Sequence, residues 1–412
     1  MMINTAQELR DLVLPERNDS RKGWTLPRIA ERLSGVDSFY RVADLTPLYP
    51  SNVFKKRVKK SISYSEMNTF DQCIMKYALS YVLGQWFFTI SEEIFTGKVV
   101  HKFLEDVIIN YNNNSEPGVF DRKLFIDIVH EVHRGYAKIF EPSEYSNPNE
   151  MVKEIISVFF PSYSVRYDLV YSDVELLRSF LPRMNCFTDY YAIDNGVREG
   201  TRMLGGFLTK ICGNHHGFEL VPEFRFELNI SNGVKFVGIS DLVVKYPDHV
   251  HILDYKLGNP NYLNWQQLFY YSLGFPNVPV TKYLLVVKEG KVRVNPKQVN
   301  RNIVIDRLHT YVNRITSFFE FYDKHRTSLQ KQYNLLYSKT LKDSNENNYY
   351  YVPMVLMSGM FKVMHLLFSR ESIKYPSGDT MLCGWCPYFS FCRFNDFSES
   401  ADFSDIGGEL EV

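Results

Sequence analysis

The sequence predicts an α/β or α+β fold, a central mixed β-sheet flanked by helices and carrying a helical insertion. Three observations predict it. The texture is helical from Ser61 through a mostly helical block ending near residue 215, the period changes to two between Phe224 and Lys256, and a helix and a further strand follow. Hydrophobic residues make up 45% of the 412 residues and charged residues 23%, enough apolar surface for a sizeable core.

Residues 1–60 mix short amphipathic pieces with four prolines and read as an N-terminal extension. Ser65 is placed to cap a helix running through Met67, Phe70, Ile74, Tyr77 and Ala78 to about Leu83. A second helix spans about Thr96 to Asn112, with an apolar stripe of Val100, Phe103, Leu104, Val107 and Ile108. The block 119–215 reads as mostly helical, with segments at 123–139, 152–160 and 174–180. Strands follow at 224–230, 235–244 and 250–256, separated by Ser231-Asn-Gly233 and Tyr246-Pro-Asp-His249. A helix at 265–273, a strand at 282–288 and a long helix at 302–333 come next. The polar tract 339–349 reads as a loop, and residues 396–412 as an acidic tail.

Formal net charge is zero, which argues against non-specific coating of a polyanion but not against a local basic cleft. The dense basic run is Lys55-Lys56-Arg57-Val58-Lys59-Lys60, either a solvated face or a nucleic-acid contact. Aromatics reach 15%, which suits a large core or surfaces that stack bases. No apolar stretch is long enough for a membrane span, and the first twenty residues lack the apolar core of a signal peptide. A cytoplasmic, reducing setting is expected, where six cysteines serve better as metal ligands than as disulfides.

The chemistry concentrates in Gly238-Ile-Ser-Asp241 and Ile252-Leu-Asp254-Tyr-Lys256. Asp254 and Lys256 are two apart and share a strand face, and an adjacent antiparallel strand brings Asp241 to them. Two carboxylates offer oxygen ligands to Mg²⁺ or Mn²⁺, and a lysine can orient the attacking water in phosphodiester hydrolysis. A bare D…DxK pattern is common by chance. Two further features accompany it. Gly97-Lys-Val-Val-His101 opens a helix with His101 flanking the apolar stripe, and Gln267 and Tyr271 share a face of the helix after the DxK strand.

Cys383, Cys386 and Cys392 supply three thiolates within ten residues, one short of a four-ligand site. Cys73, Cys186 and Cys212 are candidates for the fourth. Spacing alone leaves zinc and iron open, although Trp385, Tyr388, Phe389 and Phe391 would shield a cluster from water. The cysteines left over are expected to be buried apolar residues.

Taken together these motifs resemble the PD-(D/E)XK nuclease superfamily, and more narrowly its RecB-like exonuclease branch with an iron–sulfur cluster, of the AddB and CRISPR-adaptation type. The matches are Cys73, Gly97 with His101, Gly238 with Asp241, Asp254 with Lys256, Gln267 with Tyr271, and Cys383, Cys386 and Cys392. Glu223 resembles the acidic residue that begins the preceding strand, a place for which Glu227 competes. The resemblance spans residues 61–395 and implies a restriction-endonuclease-like core. It implies His101, Asp241, Asp254 and the Tyr255 carbonyl as ligands of Mg²⁺ or Mn²⁺, with Lys256 serving water and Gln267 and Tyr271 in support. It also implies a [4Fe–4S] cluster on Cys73, Cys383, Cys386 and Cys392, and DNA as substrate, as single strands or ends, in recombination, repair or replication. A structure-specific endonuclease and a catalytically silent DNA-binding scaffold are the competing readings.

Overall fold

The computed structural model describes residues 54–83, 92–146, 190–257, 265–343 and 352–374, with single gaps at 55, 57, 214, 232 and 299 and a fragment within 154–159. The expected segments at 174–180 and 396–412, and Cys186, Cys383, Cys386 and Cys392, lie outside the described residues.

The chain enters through a short strand, β1 (Ser61–Ser63), which runs directly into helix α1 (Tyr64–Gln72). The cap is therefore Ser63 rather than Ser65. As the last strand residue it already has the extended backbone a cap needs, and its Oγ accepts the Glu66 N–H at 3.2 Å. Nor does one helix continue to Leu83. Cys73 adopts φ −162° and ψ 113°, ends α1 and caps α2 (Ile74–Tyr77), which closes in a π-turn at Ala78–Val82. Helix α3 (Glu92–Asn114) buries Phe103, Leu104, Val107 and Ile108 as the stripe requires. It packs on α4 (Arg122–Ile139) and α5 (Tyr190–Cys212), so the inserted helices share one apolar core with the sheet residues Leu242, Leu253 and Tyr255.

The sheet comprises β2 (Glu219–Ser231), β3 (Val234–Lys245), β4 (Val250–Lys256), β5 (Val280–Val286) and β6 (Lys291–Asn295), together with β1. β2 and β3 form a long antiparallel hairpin turned at Gly233, whose φ of +73° suits glycine. β3 pairs antiparallel with β4, β4 parallel with β5, and β5 antiparallel with β6. β1 pairs parallel with β3 at 235–237. The fold is thus mixed α/β with a central mixed sheet flanked by helices, as the sequence predicts.

Helix α6 (Trp265–Tyr271) covers Val243, Ile252, Leu284 and Val286 and ends two residues earlier than expected, in a 3₁₀ turn at Ser272–Gly274. β5 likewise stops at Val286, because a 3₁₀ turn and Gly290 (φ +61°) redirect the chain into β6. Helix α7 (Arg301–Asp343) runs into the tract expected to be a loop, since Lys339–Asp343 continue the helix. With α8 (Val352–Arg370) it builds a second core around α1, α2 and Phe236. Within the basic run, Lys59 serves this core, while Lys56, Val58 and Lys60 are exposed. Lys59 lies against buried Glu66, which also accepts the Tyr77 hydroxyl at 2.8 Å, and Lys56 sits 3.8 Å from Asp323. No described helix is long and apolar enough to cross a membrane.

Phe226 lies where a side chain at Gly238 would stand, 2.2 Å from an added Cβ, and its ring also closes on Gly274 and Tyr271. The ring is hemmed in, so Gly238→Ala should destabilise the protein by about 1–3 kcal/mol. Urea denaturation checks this, and Phe226→Leu combined with Gly238→Ala should recover part of the loss.

Candidate active site

β3 has two edges and three partners. β2 takes one edge along nearly its whole length, so β1 (at 235–237) and β4 (at 242–245) share the other. Gly238–Asp241 are left on that edge without a strand partner. The register of Leu242 with Leu253, continued by one residue, sets Asp241 opposite Asp254. There the ladder stops, and side chains replace it. The Tyr255 N–H donates to Asp241 Oδ2 at 2.5 Å, and the Ser240 hydroxyl donates to the Leu253 carbonyl at 3.0 Å. Ser240 is 1% exposed. A polar residue at a buried position of the alternation was its one sequence signal.

α3 brings His101 to this opening. Its Nε2 is 3.0 Å from the Tyr255 carbonyl oxygen and its Nδ1 3.5 Å from Asp241 Oδ1. Asp254 turns the other way, with Oδ2 2.5 Å from Lys256 Nζ. The ammonium also donates to Gln267 Oε1 at 3.3 Å, and Gln267 Nε2 donates to the Tyr271 hydroxyl at 2.8 Å. The structure thus joins Asp254, Lys256, Gln267 and Tyr271 in one chain, and His101, Asp241 and the Tyr255 carbonyl in a second group beside it. Glu223 stands across β3 from Asp241 in the hairpin register, with a non-glycine φ of +45°. Glu227 is turned to Arg225 and Lys235 instead.

The electrostatics follow from burial and excess negative charge. Burial pushes the Asp254 carboxyl up, the adjacent Asp241 adds to this, and the pKa reaches about 6 despite Lys256. Burial acts the same way on Asp241, but His101, the Tyr255 N–H and Lys256 hold its pKa below the ordinary value. For His101, burial opposes the imidazolium, yet Asp241 outweighs it and the pKa is raised. Glu223, although exposed, is pushed up to about 7 by partial burial and then by Asp241 and Glu105. Tyr271 rises to about 12, chiefly through burial.

Two buried carboxylates, a carbonyl and an imidazole are the donor types of a hard or borderline divalent ion. As the side chains stand, no three His, Cys, Asp or Glu residues among those described form a ready cage. The fit is nonetheless good in kind. Asp254 is buried with a single close cation, Lys256, and a raised His101 pKa marks a place that draws positive charge.

Away from the site, Cys73 is half-buried at the break between α1 and α2, and its Sγ accepts the Lys76 N–H at 3.4 Å. Cys212 is fully buried and takes the Tyr246 hydroxyl at 3.5 Å, as expected of an apolar packing cysteine.

A mixed sheet with an Asp-x-Lys strand and an aspartate on its antiparallel neighbour is the arrangement that the motif resemblance implies. The PD-(D/E)XK nuclease superfamily model matches residues 61–393, and the chain belongs to that superfamily. No curated protein matches it.

In the metal-free protein the charge on Asp254 is a burden. Its folded pKa lies above the ordinary 3.8, so the cost is present in full above pH about 6 and vanishes below about pH 4. Asp254→Asn should therefore raise stability at pH 8 by an amount on the order of 1–3 kcal/mol and leave it unchanged near pH 4. Thermal unfolding in chelator at both pH values is the check.

Proposed function

We propose that this chain is a Mg²⁺- or Mn²⁺-dependent deoxyribonuclease, an exonuclease acting on single-stranded DNA or DNA ends in recombination, repair or replication. The observation that carries the reading is Lys256, suspended between Asp254 and Gln267 beside Asp241. An ammonium so placed is oriented before any substrate arrives. His101, Asp241, Asp254 and the Tyr255 carbonyl are the residues that would hold the ion. Once bound, a divalent cation lowers the pKa of water and offsets charge on the phosphate.

The chain's own groups do the rest. Lys256 holds the attacking water and sets positive charge against the pentavalent transition state. Gln267 Oε1 accepts a hydrogen bond from the ammonium and thereby fixes it, and Tyr271 fixes which way the amide points. Glu223 supports the site from the far side of Asp241. Asp254→Ala should reduce cleavage to background, and Lys256→Ala should lower kcat by roughly 10²–10³-fold. End-labelled linear and covalently closed circular DNA, digested with Mn²⁺, measure both variants and the end requirement. Near wild-type cleavage by either variant contradicts the site, and efficient cutting of circles replaces the exonuclease by an endonuclease.

The same reading places a [4Fe–4S] cluster on Cys73, Cys383, Cys386 and Cys392, in keeping with the RecB-like branch. Support comes from Cys73, whose break in the helix presents a partly open thiol with a backbone N–H directed at sulfur, a contact that tunes such clusters. The role would be structural, since hydrolysis moves no electrons. Protein purified without oxygen should be brown and hold about four irons per chain, and Cys73→Ala should lose both colour and solubility. Colourless folded protein with one zinc would replace iron by a tetrahedral zinc site.

A further inference from the structure

The β2–β3 hairpin presents one face to solvent, and that face leads to Asp241. Arg225, Lys235 and Ile239 are all exposed, at 57%, 48% and 40%. Arg225 is the register partner of Ile239, which is two residues from Asp241 along β3. Lys235 lies six residues from Asp241, about 20 Å at the usual strand rise. Its N–H donates to the carbonyl of exposed Lys60, the end of the basic run left over once Lys59 is used in the core. Glu227 stands between the two hairpin cations, 3.0 Å from Arg225 and 2.9 Å from Lys235. Two carboxylates, Glu227 and the exposed Glu223 on the same strand face, stand among three cations, which leaves the strip net positive by one, and Glu227 ties two of the cations to the hairpin surface. Beyond the site, on α3, exposed Lys98 makes no ion pair or hydrogen bond among the described residues and is near enough to act on Glu223 electrostatically.

The geometry points to this strip as the track of a single DNA strand. Phosphates run along Lys60, Lys235 and Arg225, Ile239 packs against a sugar or base beside the scissile bond, and Lys98 takes a phosphate on the far side. The inference rests on the nuclease reading and adds to it the path and the ligand, a phosphodiester backbone followed over several nucleotides. Cations serve this purpose without reading sequence, and an apolar surface among them suits the faces of unstacked bases.

The test is equilibrium binding of fluorescent oligothymidylate to the full chain in chelator, by anisotropy, over a range of salt. The double variant Arg225→Ala with Lys235→Ala should raise Kd about tenfold or more. It should also flatten the dependence of log K on log salt by about 1.4, two contacts at roughly 0.7 each for a single strand. Glu227→Gln should act in the opposite sense and tighten binding several-fold, an outcome that a merely structural role for the strip does not produce. Lys123→Ala with Lys291→Ala removes the same charge from exposed positions on α4 and β6 and serves as the control. If wild type binds and the Arg225/Lys235 variant matches this control in Kd and salt slope, the track is wrong and the nuclease reading stands. If wild type binds no oligothymidylate, the track is wrong, and Mn²⁺-dependent cleavage of end-labelled DNA decides the nuclease reading separately.

Discussion

The structure turns on the parting of β3 and β4 at Asp241. Had the ladder continued, the Tyr255 N–H would pair with β3 main chain and the opening would close. Instead the Asp241 carboxylate takes that N–H, and Ser240 takes the Leu253 carbonyl, so buried backbone groups stay satisfied while the strands separate. The separation is possible because β1 and β4 occupy opposite ends of the same β3 edge and leave Gly238–Asp241 between them. His101 then reaches the Tyr255 carbonyl through a gap that a regular sheet does not have.

That gap explains the charges. Asp241 and Asp254 stand opposite each other where the β3–β4 ladder stops, Asp254 buried and Asp241 nearly so, with Lys256 beside Asp254 and His101 beside Asp241. Such a pair is costly unless positive charge is added. The protein adds it in part through Lys256 and through a His101 whose pKa is raised, and the Asp254 carboxyl is still pushed up to about 6. Superfamily membership and this shortfall of positive charge point the same way. The strained Glu223 backbone fits the same picture, as strain of this kind gathers at functional sites.

Much of this was legible in the sequence where chemistry and periodicity coincide. Strand alternation set Asp254 with Lys256, and the i, i+4 spacing set Gln267 with Tyr271. The α3 stripe put His101 at the margin of the apolar face. What depended on register or on tertiary packing was not legible. β1 is three residues long and exists only because β3 has a free edge beside it. The break at Cys73 interrupts an apolar stripe that, read alone, continues through Ile74 to Ala78. Lys59 looked like part of a uniform basic run until Glu66, Tyr81 and Phe319 enclosed it. Strand alternation alone sets Arg225 beside Glu227, but Lys235 becomes their neighbour only once the hairpin register is known.

The central claim is that the parted strands create a divalent-cation site, and it can be tested without any substrate. Calorimetric titration of Mn²⁺ into chelator-treated protein should show at least one site per chain that is lost in both His101→Ala and Asp241→Asn. Both variants should keep the wild-type circular dichroism spectrum. Unchanged Mn²⁺ affinity in these two variants would contradict the account, because His101 and Asp241 would then stand at the opening without holding the ion.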